Sequence, residues 1–338
     1  MGTETIKLNL LDDWQYHAFN EMRRLMNESS PAFEFSKAEN RQLYKKIKDG
    51  NFTLCTDAER FCILEYLCNV EHRIVPPKKR QVLIKDEIDL YSAVPADQLV
   101  AARAGVAQFI KESESGQSIE KRQSGKRLVI DEKDVLLDRC GIHHFHIQEK
   151  PQKRGDWVVF AFVNDQVVKL IKVDRHRIYS QASEMQKLLE VAYKNYPEQF
   201  DPYCVSKNNS FVTEVSPDTQ KSMSWCNLNV GFTISGKVFY PPGHGVMLNG
   251  VSMKASNKVR AGYRFLQRAQ KAFDAYLKEH EPELLSHGVQ EFRLYSFDNK
   301  TICASTHVNA DKLIALFCRL EDNCRVQMLI SNVSAGTL

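Results

Sequence analysis

No run of about 18 consecutive apolar residues occurs in the chain, so no sequence-predicted helix is apolar and long enough to cross a bilayer. The start, Met1-Gly2-Thr3-Glu4-Thr5-Ile6, carries acid where a secretory signal needs base, and no apolar stretch follows it. Ile6 stands where a myristoylation pattern wants Ser or Thr. The expectation is a cytoplasmic protein with no membrane partner. Paired cysteines are lacking too. The nine, at 55, 62, 68, 140, 204, 226, 303, 318 and 324, are odd in number, scattered and never spaced CxxC. That pattern suits reduced thiols and argues against a cysteine zinc site. A nucleotide-binding glycine signature, a P-loop lysine and a serine nucleophile elbow are also missing. Charge of one sign is scarce: 46 Lys and Arg stand against 42 Asp and Glu, a net of +4. A basic coat or an acidic tail is excluded for the whole chain, so nucleic-acid contacts would have to come from local charge.

What is present is ordinary in bulk. The 338 residues are 43% hydrophobic and 26% charged, values of a globular protein with two or three domains. The reading is α+β, in three parts with a short link. Residues 1–115 read as a mainly helical domain. A strand is expected at Thr5–Leu11 and a helix from Asp12 to about Asn27. A second helix is capped by Ser36 and ends before Gly50. Thr56-Asp57-Ala58-Glu59 is a capping box that opens a third. Pro76-Pro77 stops that helix, Lys78-Lys79-Arg80 reads as a solvated turn, and Pro95 and Asp97 start another helix. Residues 116–127 read as a basic linker or arm, because Glu120 to Arg127 holds four cations against one acid. Lys121, Arg122, Lys126 and Arg127 are its candidate phosphate contacts.

Residues 128–200 read as a central helix plus a small antiparallel sheet. Strands are expected at Ile142–Ile147, Trp157–Val163 and Gln166–Val173, with Asn164-Asp165 as a tight turn, and a helix closes the unit before Pro197. Residues 201–338 read as a C-terminal α+β domain. It holds a loop-rich stretch, a long helix from Ser252 to about Glu283, strands at 289–296 and 300–305, a helix at 308–320 and a last strand at 324–330.

The densest feature is Gly141-Ile142-His143-His144-Phe145-His146-Ile147. Side chains alternate along a strand, so His144 and His146 share one face about 7 Å apart, while His143 and Phe145 point the other way. His176 follows the third strand, and a short antiparallel sheet can bring it beside that pair. Three chemistries fit. Histidines can act as general acid and base on RNA, whose 2′-OH is a built-in nucleophile, with Lys172, Arg175 and Arg177 holding phosphate. His-x-His with a carboxylate such as Asp174 can instead be a hydrolytic metal site. Or the histidines are structural, in a regulatory protein that binds protein or nucleic acid. Cysteine-nucleophile chemistry at Cys140, near His143, is a minor fourth.

The stretch from about Asp131 to Tyr179 resembles the core of RelE/ParE-like toxins. It does so through the hairpin Phe160-Ala161-Phe162-Val163-Asn164-Asp165-Gln166-Val167-Val168 and the ending Val173-Asp174-Arg175-His176-Arg177-Ile178-Tyr179. The resemblance implies a toxin-like or defence-type ribonuclease that cleaves messenger RNA without metal or other cofactor. It points to Arg154, Arg175, His176 and Tyr179, whereas His144 and His146 come from strand alternation alone. RNA is the expected partner, with a protein partner or inhibitor as the second expectation. Two further features stand apart. Arg260, Arg264 and Arg268 recur every four residues on the long helix and form one basic ridge with Lys271. The glycines of Tyr240-Pro241-Pro242-Gly243-His244-Gly245 would let a backbone approach phosphate closely.

Overall fold

The computed structural model describes residues 6–28, 40–129, 134–148, 156–176, 181–205, 231–297, 301–309, 312–319 and 325–332, with isolated positions between 216 and 229. The fold is α+β. In chain order the described elements are α1 (Leu10–Glu28), α2 (Arg41–Lys48), α3 (Asp57–Arg73), β1 (Gln81–Ile84), α4 (Glu87–Tyr91), α5 (Leu99–Ser115), α6 (Val135–Cys140), β2 (Ile142–His146), β3 (Trp157–Val163), β4 (Val167–Arg175), α7 (Ala182–Asn195), β5 (Phe232–Ile234), β6 (Lys237–Phe239), α8 (Met253–Ser286), β7 (Arg293–Phe297), β8 (Thr301–Asn309), β9 (Lys312–Arg319) and β10 (Val326–Asn332). They gather into two compact units. One joins Met1–Glu28, Gln42–Glu65 and Asn257–Leu338; the other joins Ser29–Arg41 and Tyr66–Ser256. This grouping interleaves distant segments and differs from a division at 115, 128 and 200.

In the first unit, Asn9 Oδ1 accepts the Asp12 amide at 3.1 Å and Asp12 and Asp13 fill the first turn of α1, so the chain turns helical at Leu10. The strand expected at Thr5–Leu11 is therefore reduced, among the described residues, to one bridge between Lys7 and Glu291. The capping box forms as the sequence predicts. Thr56 N–H donates to Glu59 Oε2 at 2.8 Å, and Glu59 N–H donates to Thr56 Oγ1 at 3.3 Å. Strands β7 to β10 make an antiparallel meander in the order β10-β9-β8-β7. Phe265, Leu266, Ala269, Phe273 and Leu277 of α8 pack with Ile302, Ala304, Ile314, Leu316 and Cys318 of this sheet. The helix expected at 308–320 is thus a correction: Lys312–Arg319 is a strand. Leu313-Ile314-Ala315-Leu316-Phe317-Cys318 is apolar on both faces, and such a run carries no period that separates helix from strand.

The second unit is built on a four-stranded sheet of order β1-β4-β3-β2, with β1 parallel to β4 and the other pairs antiparallel. Strand β1 falls in the segment read as mainly helical. Beside it, Arg80 is buried and donates to the carbonyls of Asn164 and Pro76, so Lys78-Lys79-Arg80 is only partly a solvated turn. One sheet face carries Ile142, Val158, Phe160, Phe162 and Ile171 against α7 and the β5–β6 hairpin. The other carries Phe145, Val159, Ala161, Leu170 and Val173 against Ala102, Val106 and Phe109 of α5. The basic arm expected at 116–127 is also corrected. Short 3-10 turns at Glu120–Arg122 and Gly125–Leu128 hold the chain close, and Arg122 is only 2% exposed.

Candidate functional site

The site begins with a register shift. Ala161 pairs with Leu170, but Phe160 pairs with Lys172, so Ile171 is an extra residue in β4. In a regular ladder Lys172 would oppose Val159, and Lys172, Asp174 and His176 would lie on the α5 face. The bulge re-aims all three. Lys172 now lies across from Phe160 and His144, and Asp174 across from Val158 and His146. His176 follows two residues later on the same face.

Three imidazoles meet as a result. The His176 ring lies 5.1 Å from that of His144, edge-on at 71°, and 4.9 Å from that of His146, stacked at 18°. Phe160 lies beside His144, with ring centroids 6.4 Å apart. His144 is 9% exposed and His146 5%, while His176 is half-buried. The His176 amide is fixed by Asp156 O at 2.5 Å. Buried Lys172 and Asp174 pair at 2.7 Å, and Asp174 Oδ1 also accepts the Arg175 amide at 2.7 Å. Glu184 and Lys187 on the first turns of α7 add their charges opposite Lys172 and Asp174. Within one sheet face there are thus three acid–base side chains, a cation and a carboxylate.

His143 points to the other face and stacks on Phe145 at 6.0 Å. Burial, reinforced by electrostatic repulsion from its neighbours His72, His144, Lys254 and Arg80, pushes its pKa down to about 3. A second polar group surrounds Asp138 of α6, which is 1% exposed. Burial and the like charge of Asp134 push its carboxyl up to about 8, against the opposing pull of Arg73 and the nearby Ser252 hydroxyl. His72 Nε2 stands 4.0 Å from Asp138 Oδ1. The glycine loop at 243–245 meets α6, where the sequence suggested phosphate. Gly243 N–H donates to Arg139 O at 2.9 Å and Gly245 N–H to Asp138 O at 2.7 Å. A Cβ on Gly243 would come within 2.2 Å of Leu137 O, so only glycine lets the loop dock. Cys140 is buried, which raises its thiol to about 12 and disfavours the thiolate that nucleophilic chemistry needs.

The other candidate residues divide. Arg122 donates to both Glu112 oxygens, at 2.5 and 2.8 Å, and to the carbonyls of His146 and Ile147, at 3.3 and 2.9 Å. Its role is internal, bracing the end of β2. Arg127 is engaged by Glu120 and by Ser124 O. Lys121 is exposed. Arg175 is exposed on the α5 side of the sheet, 4.2 Å above the Trp157 ring and 3.6 Å from Asp156, so it does not join the histidines. Arg260, Arg264 and Arg268 are exposed on α8 in the first unit. Arg154, Arg177, Tyr179 and the side chain of Lys126 lie outside the described residues. Sequence reading missed the Lys172–Asp174 pair as a pair, although an i, i+2 Lys-Val-Asp on a strand is its signal. It also missed Asp138, whose environment comes from Arg73 and Ser252, far away in the chain.

No family model, curated protein or solved structure matches the chain. Among the described residues, no group of three or more His, Cys, Asp or Glu side chains is arranged to hold a metal ion.

Proposed function

We propose that the chain is a metal-independent ribonuclease whose acid–base groups are His144, His146 and His176. The single observation that carries this reading is the convergence of three imidazoles from two non-neighbouring strands, brought about by the bulge at Ile171. The chemistry asks little more of the protein. One neutral imidazole takes the proton of the 2′-OH as its oxygen attacks the adjacent phosphorus. One imidazolium gives a proton to the departing 5′-oxygen. The products are a 2′,3′-cyclic phosphate and a 5′-OH. Lys172, on the same face, supplies positive charge for the phosphorane, with Asp174 holding its position. Replacing His144, His146 or His176 by Ala one at a time is expected to slow RNA decay in EDTA by about 10²–10⁴-fold. Equal decay in all three variants and the wild type, or none in the wild type, removes the reading.

The burial of His144 and His146 favours a second reading, in which the cluster is an internal packing feature of a non-enzymatic binding protein. The two part on one comparison. The binding protein carries or captures RNA without shortening it, and the histidine variants then lose thermal stability but no activity.

A further inference from the structure

The outward face of α8 carries charge that helix stability does not explain. Between Met253 and Phe273 the sequence holds six cations and no acid, and the acids gather at the other end, as Asp274, Glu279, Glu281 and Glu283. This runs against the helix dipole, which favours anions at the start and cations at the end. No acid stands three or four residues from Arg260 or Arg264, so the usual i, i+4 pairing of an exposed helix is absent there. Arg260, Arg264, Arg268 and Lys271 are all exposed, and among the described residues none of the four makes an ion pair. Each four-residue step rises about 6 Å, so the three arginines span about 12 Å in one line. The opposite face of the same helix, Phe265, Leu266, Ala269, Phe273 and Leu277, is locked in the core of its unit. A helix so anchored cannot sink an apolar face into lipid.

We propose that the Arg260–Arg264–Arg268–Lys271 strip docks the phosphate backbone of a nucleic acid, without reading its bases. Arginine suits this role, because its planar fork meets phosphate oxygens two at a time. The proposal extends the RNA reading above and is separable from it, since binding and cleavage are read with different probes.

The test uses the full chain and a labelled single-stranded 2′-O-methyl RNA of twenty nucleotides, which lacks the 2′-OH and so cannot be cut by the mechanism above. The triple variant Arg260→Gln/Arg264→Gln/Arg268→Gln is expected to bind at least about tenfold more weakly. The slope of log affinity against log salt should shrink by about 2, at roughly 0.7 per lost phosphate contact. The triple Arg→Lys variant keeps the charge and should restore most of the slope, which separates charge from misfolding. An unchanged affinity and slope in the Gln variant overturns the proposal. So does a wild type that binds anionic phosphatidylserine vesicles and not the RNA. Histidine-dependent cleavage by a protein whose RNA binding does not depend on the strip overturns this proposal alone, and strip-dependent binding without any cleavage removes the ribonuclease reading alone.

Discussion

Asp138 departs far from ordinary carboxylate behaviour, and its consequence has a definite sign. Buried beside Asp134, it keeps its proton up to about pH 8, whereas in the unfolded chain it ionises near pH 3.9. Between those values the folded protein holds a proton that the unfolded chain has released. Stability from this group is complete at low pH and is lost as pH rises, at no more than about 1.4 kcal/mol per pH unit. His143 works in the opposite sense. Its pKa is pushed down to about 3, so its contribution is present above about pH 6.5 and is lost as pH falls. The two slopes oppose each other from about pH 4 to 6.5, and Asp138 acts unopposed by His143 from there to about pH 8. Urea midpoints of Asp138→Asn, measured across pH 6.5–8, should therefore be flatter than those of the wild type; a fall of the same steepness contradicts the assignment. None of this was legible in the sequence, where Asp138 lies at the end of a short helix expected from Asp131 to Leu137 and ended by Gly141. The carboxyl is buried by its place in the fold, with Arg73 from α3 and Ser252, just before α8, as its opposing influences.

At the scale of elements, β2 is an edge strand whose end is held by a buried clamp. Glu112 of α5 grips Arg122, and Arg122 grips the carbonyls of His146 and Ile147. Gly105 lets α5 come this close, since a Cβ there would meet Ile147 O at 2.7 Å. Arg122→Met leaves Glu112 buried without its partner and should cost about 3–5 kcal/mol in urea unfolding. Adding Glu112→Leu should recover part of that loss. A single variant as stable as the wild type shows the clamp to be unimportant. Local chemistry made much of the element plan readable. The Thr56–Glu59 box, the Asn164-Asp165 turn with Asn164 Oδ1 accepting two amides, and the alternation that puts His144 and His146 on one face all appear as the residues predict. What failed was non-local. Four cations in eight residues looked like a solvated arm, because the partner of Arg122 lies ten residues upstream. The bulge at Ile171 left no mark, since Leu170 and Ile171 are both apolar and fit either face. Strand β9 was misread because its apolar run has no polar face to betray its period.

At the scale of the molecule, the compact units do not follow the boundaries expected from sequence, and the stretch 128–200 is not a folding unit by itself. The segment 128–200 holds every histidine of the cluster, yet it lacks β1, which completes its sheet, and α5, which covers one face. Expressed alone, it should show no cooperative thermal transition, while 66–256 should show one. A cooperative melt of 128–200 contradicts this account of its core. The even charge balance of the whole chain also resolves into structure: one buried cation–carboxylate pair beside the histidines, one buried Arg–Glu clamp, and one exposed cationic strip on α8. The claim at the centre is that His144, His146 and His176 act together on the 2′-OH of RNA. End-group analysis of RNA incubated with the full chain in EDTA tests it most directly. The account predicts 2′,3′-cyclic phosphate ends that vanish in the three histidine variants and an untouched 2′-O-methyl strand. Cleavage of that strand, or 5′-phosphate ends, would contradict it.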